Sequence, residues 1–268
     1  MREKEFQRVV TEGHYESLGD YVWLLVQIAI KDFKMRYTHS FLGYAWSIVS
    51  PLSFFVIYYT VFTRFMDVRI GNYAGFLLLG MILWNFFHEA TTNGTNSLLV
   101  RGDLLKNVPV PRELLVYASL LNSSITFMIN LAIFFVALFV TGHGVKAPAI
   151  CFPLLVVDHL LITSGMALML STLFVRFRDI GYLWALCLQI GFWLTPVVYL
   201  DLMMPKDWLW IVTVNPVGRI IRDSHRVLVY GAWPGPRGLV ITTVIAIVIF
   251  ATGRTVFRRL QDRLAEHL

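Results

Sequence analysis

Two stretches of this sequence, residues 44–63 and 181–200, contain no Asp, Glu, Lys, Arg or His. A helix of that length spans roughly 30 Å, the thickness of the hydrocarbon core of a bilayer. Over the whole 268-residue chain only 15% of the residues are charged, where a soluble domain has about a quarter. The chain is therefore predicted to be an all-α integral membrane protein, because backbone that meets lipid must satisfy its own hydrogen bonds.

Six such spans are predicted, and the basic residues between them set the orientation. The spans cover residues 44–63, 73–92, 114–141, 149–175, 181–200 and 238–254. Lys and Arg number 14 in the two chain ends (1–43 and 255–268) and the connecting segments 93–113 and 176–180 taken together. The short segments 64–72 and 142–148 carry 3. Because loops rich in Lys and Arg stay in the cytoplasm, both termini are expected there. The outer segment 201–237 departs from this bias with five basic residues.

A single transmembrane domain is expected to account for residues 1–268. Residues 1–43 form a cytoplasmic or interfacial N-terminal region, 44–254 the bundle and 255–268 a cytoplasmic tail. The start of the chain lacks the apolar core of a cleavable signal peptide. Cys151 and Cys187 fall in apolar spans and are predicted to be buried free thiols, so no metal site is expected. The net charge of +6 fits membrane headgroups, and no nucleic-acid partner is expected.

An amphipathic helix is predicted over residues 18–38, ahead of the first span. Apolar residues recur there every three or four positions, with lysines on a neighbouring arc. Such a helix lies along the inner membrane surface, where Lys31, Lys34 and Arg36 meet headgroups, a partner or an anionic substrate. Within the first span, Pro51 is expected to cause a kink because it has no N–H to donate.

The inner segment 93–113 carries leucines away from lipid. A short helix is predicted to start at Asn96, a favourable N-cap residue, and to end at the Val-Pro-Val-Pro stretch. Two interpretations remain open: a docking surface for a partner chain, or a loop packed on its own helix ends. The docking hypothesis names Leu98, Leu99, Arg101, Leu104, Leu105 and Lys106.

The outer segment 195–236 contains a strong helix start, Asn215 followed by Pro216, and a stop at Gly231. Short re-entrant-type helices that dip into the outer leaflet are therefore expected between spans five and six. Arginines on this helix either hold an anionic ligand near the outer exit or meet outer lipid headgroups. They are Arg219, Arg222 and Arg226.

Aromatic residues make up 15% of the chain. Their faces suit sugar rings, because ring C–H groups meet the negative π face. Packing and interfacial anchoring remain the alternative for each of them. The candidates for a substrate channel lie in spans one and five: Phe54, Tyr58, Tyr59, Phe62, Trp184, Phe192 and Trp193.

Ionisable residues within spans are costly and therefore suggest function. His88 with Glu89, and Asp158 with His159, are the pairs in question. A proton relay, or a membrane-embedded enzyme acting on polyprenyl lipids, is one interpretation. Hydrogen-bonded side chains facing the bundle interior are the other. The chain has no G-x-x-x-x-G-K-[ST] loop, so any ATPase that powers it is expected to be a separate polypeptide.

Several motifs follow one another along the chain. Residues 36–51 have the pattern RY-x-x-S-x-LG-x-x-W-x-x-x-x-P. An inner proline segment (106–112), Phe-Arg-Asp-Ile (177–180), Thr-Pro-x-x-Tyr (195–199) and Asn215-Pro216 with Arg226 come after it. Together these motifs resemble the permeases of polysaccharide-export ABC transporters, the membrane subunits that export O-antigen, capsule or teichoic-acid chains.

The resemblance implies a homodimer of six-span subunits working with two copies of a separate ATPase, which binds ATP and magnesium. It implies no enzyme activity and no cofactor on this chain. The implied substrate is a glycan on a polyprenyl diphosphate carrier, with lipopolysaccharide O-antigen as the first candidate, crossing the bacterial inner membrane. In that picture the amphipathic helix and residues 94–107 contact the ATPases. An exporter of drugs or small lipids from the same superfamily is the alternative transporter.

Overall fold

The computed structural model describes residues 18–37, 43, 46–66, 71–101, 111–200 and 203–261, and every regular element in these ranges is helical. Two of the α-helices continue as π-helical turns, over Val61–Phe65 and His225–Tyr230. A third α-helix is preceded by a 3-10 turn over Ala147–Cys151. The described α-helices are α1 (Leu18–Tyr37), α2 (Trp46–Thr60), α3 (Tyr73–Val100), α4 (Arg112–Val140), α5 (Phe152–Arg176), α6 (Ile180–Leu194), α7 (Leu209–Val214), α8 (Pro216–Ser224) and α9 (Pro236–Leu260).

Three of these helices are long and apolar enough to cross a bilayer: α4, α5 with its leading turn, and α9. The apolar stretches Val49–Phe65 and Ile180–Leu194 are shorter. Each of the five coincides with a predicted span to within a few residues. The sixth predicted span, 73–92, lies within α3, which its neighbours bury on almost every side. Because lipid meets little of α3, this helix tolerates more polar residues than the others.

Helix α3 is longer than predicted, and the helix start expected at Asn96 is wrong. The helix runs without interruption to Val100. Its polar side chains bond to carbonyls one turn earlier, Thr95 Oγ1 to Thr91 O at 2.7 Å and Asn96 Nδ2 to Thr92 O at 2.9 Å. A side chain that bonds backward in this way stays inside a helix and caps no new one.

Helix α3 lies at the centre, against α4 and α5, and α9 packs along α5. The contact between α5 and α9 is close because two glycines face each other. A Cβ atom built on Gly253 would lie 2.0 Å from the carbonyl oxygen of Gly165. The predicted amphipathic helix is α1, which packs on α4 and has Leu24 and Ala29 buried.

Helix α8 begins at Asn215 as predicted, and the π-helical turn that continues it ends at the predicted Gly231. The Asn215 side-chain oxygen accepts hydrogen bonds from the N–H groups of Val217 (3.0 Å) and Gly218 (3.1 Å). Gly231 follows the π-helical turn with φ at +63°, a left-handed conformation that glycine adopts without strain. The Asn-Pro start and the glycine stop therefore suffice to place this outer element.

The prediction that both thiols are buried is wrong. Cys151 is half-buried, but Cys187 is exposed on α6. Only Leu188 of α6 is buried within the protein. An apolar span is compatible with an outward-facing surface because lipid is as apolar as a protein core.

Candidate functional site

Four of the predicted channel aromatics form a contact line where α2 and α6 meet. Phe54 and Tyr58 stack with ring centroids 6.3 Å apart, Tyr58 meets Phe192 at 5.7 Å, and Phe192 meets Trp193 at 5.3 Å. Phe54 and Trp193, at the two ends of the line, are 53% and 54% exposed. This aromatic line therefore presents ring surface toward the outside of the subunit.

The other three predicted aromatics pack on α3. The rings of Tyr59 and Phe62 lie 6.1 and 6.3 Å from the ring of Tyr73. The indole N–H of Trp184 donates to Thr91 Oγ1 at 3.0 Å. Phe62 is buried and Trp184 is half-buried. In this structure they hold α2 and α6 against the central helix.

The three outer arginines differ in placement. Arg219 is buried, and its guanidinium donates to Thr242 Oγ1 (3.0 Å) and to the carbonyl oxygens of Thr213 (3.0 Å) and Gly238 (3.2 Å). Because its donors point into the protein, Arg219 joins α7, α8 and α9 and is turned away from headgroups. Arg222 is half-buried, and Arg226 is exposed.

Hydrogen bonds from motif residues connect the outer helices to the spans. Asn215 Nδ2 donates to Thr195 Oγ1 at 2.8 Å, which joins the start of α8 to the end of α6. The ring of His225 stacks on Phe76 at 3.8 Å, and its Nε2 lies 2.9 Å from the Phe76 carbonyl oxygen. Since a carbonyl oxygen only accepts, Nε2 carries the proton. The outer segment is thus fixed to both α3 and α6.

The described part of the segment predicted to dock a partner belongs to the bundle. Leu98 is fully buried and Leu99 is half-buried, so α3 packs these two leucines inside, and Leu98 has no free face for docking. Arg101 pairs with Asp32 of α1 and donates to the Leu115 carbonyl oxygen at 2.9 Å. Three further docking residues lie outside the described residues: Leu104, Leu105 and Lys106.

The N-terminal helix is held next to the end of the bundle where α3 ends and α4 begins. Lys31 is exposed beside the paired Asp32. The side chains of Lys34 and Arg36 lie outside the part of the chain that the structure describes. A second inner contact joins α4 to α9, where Arg258 Nε donates to Glu113 Oε1 at 2.9 Å. Within the described part of α1, the basic side chain of Lys31 is thus accessible to a partner or ligand.

Asp158 and His159 bond to different helices. Asp158 is buried and accepts from Thr243 Oγ1 of α9 at 2.9 Å, and His159 Nε2 lies 3.0 Å from the Leu83 carbonyl oxygen of α3. This arrangement agrees with the interpretation of hydrogen-bonded side chains facing the bundle interior. Among the described residues, no three His, Cys, Asp or Glu side chains gather as a metal site.

A cleft of about 410 Å³ between α2, α3 and α4 was not predicted. Its polar lining comes from Ser50 of α2, from Asn85, His88 and Glu89 of α3, and from Ser123, Thr126 and Asn130 of α4. Only His88 and Glu89 stood out in the sequence. On α4, Ser123, Thr126 and Asn130 recur three or four residues apart, and on α3 Asn85 lies three and four residues before His88 and Glu89. This spacing places each set on one face of its helix. That periodicity is the signal that sequence reasoning missed.

Known proteins match this chain over most of its length. A family model described as ABC-2 type transporter matches residues 24–222. The O-antigen export system permease protein RfbA of Klebsiella pneumoniae is 32% identical over 256 residues, which cover 94% of this chain and 97% of that protein. Another protein of that name from Klebsiella pneumoniae is 30% identical over 94% of this chain and 97% of its own length. One from Myxococcus xanthus is 24% identical over 94% of this chain and 98% of its own length.

Proposed function

The chain belongs to the ABC-2 type transporter family, and we propose that it is the membrane-spanning subunit of an ATP-driven exporter of O-antigen. The observation that carries this proposal is the 32% identity to an O-antigen export permease over 94% of the chain. The shared region includes both the aromatic line and the start of the outer helix. The polysaccharide-export motifs at residues 36–51 and 177–180 support the same assignment.

The proposed topology has six spans, formed by α2 to α6 and α9, with both termini on the cytoplasmic side of the inner membrane. Helix α3 has 28 residues, roughly 42 Å of helix, and so crosses the bilayer even though its neighbours enclose it. Helix α6 has 15 residues, roughly 22 Å. It therefore reaches the outer side only together with the Thr-Pro segment and the outer helices α7 and α8.

The proposed assembly is a homodimer with the glycan path between the two copies. Large apolar side chains of α2 and α6 point away from their own bundle: Val56, Ile57, Leu183, Leu186 and Ile190 are each at least half exposed. The aromatic line lies on the same two helices. A second copy covering this surface would enclose a path whose walls offer aromatic faces to sugar rings.

Two copies of a separate ATPase, which binds ATP and magnesium, are proposed to drive export from the inner face. The ion pair between Asp32 and Arg101 joins α1 to the end of α3, and the hydrogen bond from Arg101 to Leu115 extends this connection to α4. A displacement of α1 by an ATPase would therefore move α3 and α4 with it. The carrier diphosphate is proposed to meet the exposed basic residues Lys31 on the inner side and Arg226 on the outer side.

Deletion of the gene in the producing bacterium tests this function. Loss of the subunit should abolish surface O-antigen and leave lipid-linked glycan inside the cell, and a plasmid copy of the chain should reverse both effects. Normal surface glycan in the deletion strain would refute the proposal. Normal glycan together with new sensitivity to drugs would favour the alternative of a drug or small-lipid exporter.

A further inference from the structure

In the proposed topology, the cleft between α2, α3 and α4 lies at the depth of the hydrocarbon core. At 1.5 Å per residue, Asn85 is roughly 18 Å along α3 from Tyr73 and roughly 24 Å from Arg101. On α4, Asn130 is roughly 15 Å from Val140, at the outer end of the helix. Polar side chains at such depths are costly and mark paths or binding sites. On α4, Asn130 donates one N–H to the Thr126 carbonyl oxygen at 3.0 Å and keeps its second N–H and its own carbonyl oxygen for another partner. The amide of Asn85 therefore calls for a ligand most directly.

The amide of Asn85 makes no hydrogen bond within the described part of the chain, although the residue is half-buried. Several other polar residues of α3 are bonded inside the protein. Thr91 donates to Phe87 O at 2.7 Å, and Asn93 donates to Ser123 Oγ at 3.0 Å. An amide has two N–H donors and a carbonyl acceptor. Asn85 therefore offers a complete set of hydrogen-bonding groups to a molecule in the cleft.

The charge of the lining argues against a phosphate. None of the 17 described residues that line the cleft is Lys or Arg, and Glu89 contributes a carboxyl group. A diphosphate or a phospholipid headgroup is anionic and is normally held by such cations. Neutral hydroxyl groups, in contrast, donate to a carboxylate and both donate to and accept from amides. The polar groups therefore fit a neutral, polyhydroxylated ligand.

The rest of the lining fits a sugar ring. Trp46 and Phe54 of α2 and Phe86 and Phe127 of the other two helices supply aromatic surface, which favours the C–H faces of sugars. The volume of about 410 Å³ lies within the range of small-molecule sites. Phe54 belongs both to this lining and to the aromatic line. The cleft therefore opens next to the proposed glycan path.

We propose that the cleft binds a neutral sugar residue of the exported glycan. Asn85, Asn130 and Glu89 bind its hydroxyl groups, and Trp46 and Phe54 cover its ring. The proposal rests on the proposed function, because that function supplies the glycan. The cleft holds the carbohydrate away from the cationic surfaces that meet the carrier diphosphate.

Photo-crosslinking in living cells tests this site. The photoreactive residue p-benzoylphenylalanine replaces Ile133, which lines the cleft, or Met128, which is exposed and does not. These two positions lie about 140° apart around α4, so Met128 is a matched control on the same helix. Cells that make the glycan and express the complete transporter are illuminated. The purified subunit is then probed with antiserum against the O-antigen. We expect at least fivefold more glycan adduct at Ile133 than at Met128.

A second variant makes the test specific to the amides. Asn85→Leu with Asn130→Leu, at similar side-chain volume, should lower the Ile133 adduct by about fivefold or more, since two hydrogen bonds to the sugar are lost. The amount of subunit recovered with the ATPase should stay the same.

Three results would overturn the site. The first is a glycan adduct at Ile133 that is absent or no stronger than that at Met128. If surface glycan in the same cells still depends on the wild-type chain, this result overturns the site and leaves the proposed function standing. A phospholipid adduct at Ile133 without glycan would assign the cleft to lipid. Normal surface glycan in the deletion strain would overturn both the function and the site.

Discussion

The close contact between α5 and α9 gives a quantitative prediction for Gly253→Ala. The added Cβ would lie 2.0 Å from the Gly165 carbonyl oxygen, and the other atoms within reach are also Gly165 backbone, at 2.7 and 2.8 Å. A normal contact is about 3.4 Å or more. Because backbone atoms cannot rotate away as a side chain does, the two helices must separate by roughly 1.4 Å.

Overpacking of this kind costs about 1–3 kcal/mol. At about 2–4 °C for each kcal/mol, the apparent Tm should fall by several degrees. The measurement is the fraction of purified subunit that remains monodisperse in detergent after heating at a series of temperatures. Gly238→Ala is the matched control, because it removes a glycine from the same helix at a position where a Cβ meets nothing within 4 Å.

The control should melt at or above the wild-type temperature, since alanine also favours the helix. If Gly253→Ala and Gly238→Ala lost monodispersity at the same temperature, the glycine contact would not limit the packing of α5 on α9. An increase in Tm for Gly253→Ala would refute the reasoning outright.

Three further predictions concern the hydrogen bonds that fix the inner and outer segments. Asn215→Ala removes the cap of α8 and its bond to α6, and should destabilise the subunit by about 1–2 kcal/mol in the same heating assay. Arg219→Met removes the three hydrogen bonds of a buried guanidinium and should lower the stability of the subunit by about 2–3 kcal/mol. Arg226→Met, on the exposed face, should lower it by less than about 0.5 kcal/mol. Equal losses of stability would refute the structural role of Arg219. Arg101→Glu should expose the α1–α3 region to limited proteolysis, because it opposes Asp32, while Lys31→Glu should leave the cleavage pattern unchanged.

The spans and the outer helix were predictable because the signals that define them are local. A run of 20 uncharged residues has one stable conformation in lipid. Asn215, Pro216 and Gly231 determine the ends of their helix through bonds and dihedral angles within a few residues. Helix α3 shows the limit of local reasoning. Asn96 is a favourable N-cap residue, but it also fits inside a helix when its amide bonds back to Thr92 O, and the packing around α3 decides between the two positions.

The directions of polar side chains were not predictable, because their partners lie far away in sequence. Arg219 bonds to residues 19 and 23 positions later, in α9. Leu98 is buried by helices that the sequence does not place beside it. The sequence pattern shows only that Arg219 shares a helix with Arg222 and Arg226. Which of the three is turned into the protein depends on the position of α9, and this position depends in turn on the contact between Gly165 and Gly253.

The same dependence explains why the polar cleft was missed. Asn85 and Asn130 are separated by 45 positions, and each is a single amide in an apolar stretch. Only the packing of α3 against α4 brings them to one cleft. Two polar side chains of α3 that face neighbouring helices are bonded to them, Thr91 to Trp184 and Asn93 to Ser123. A polar residue of a central membrane helix that faces a cleft instead, as Asn85 does, is one whose hydrogen bonds are left for a ligand.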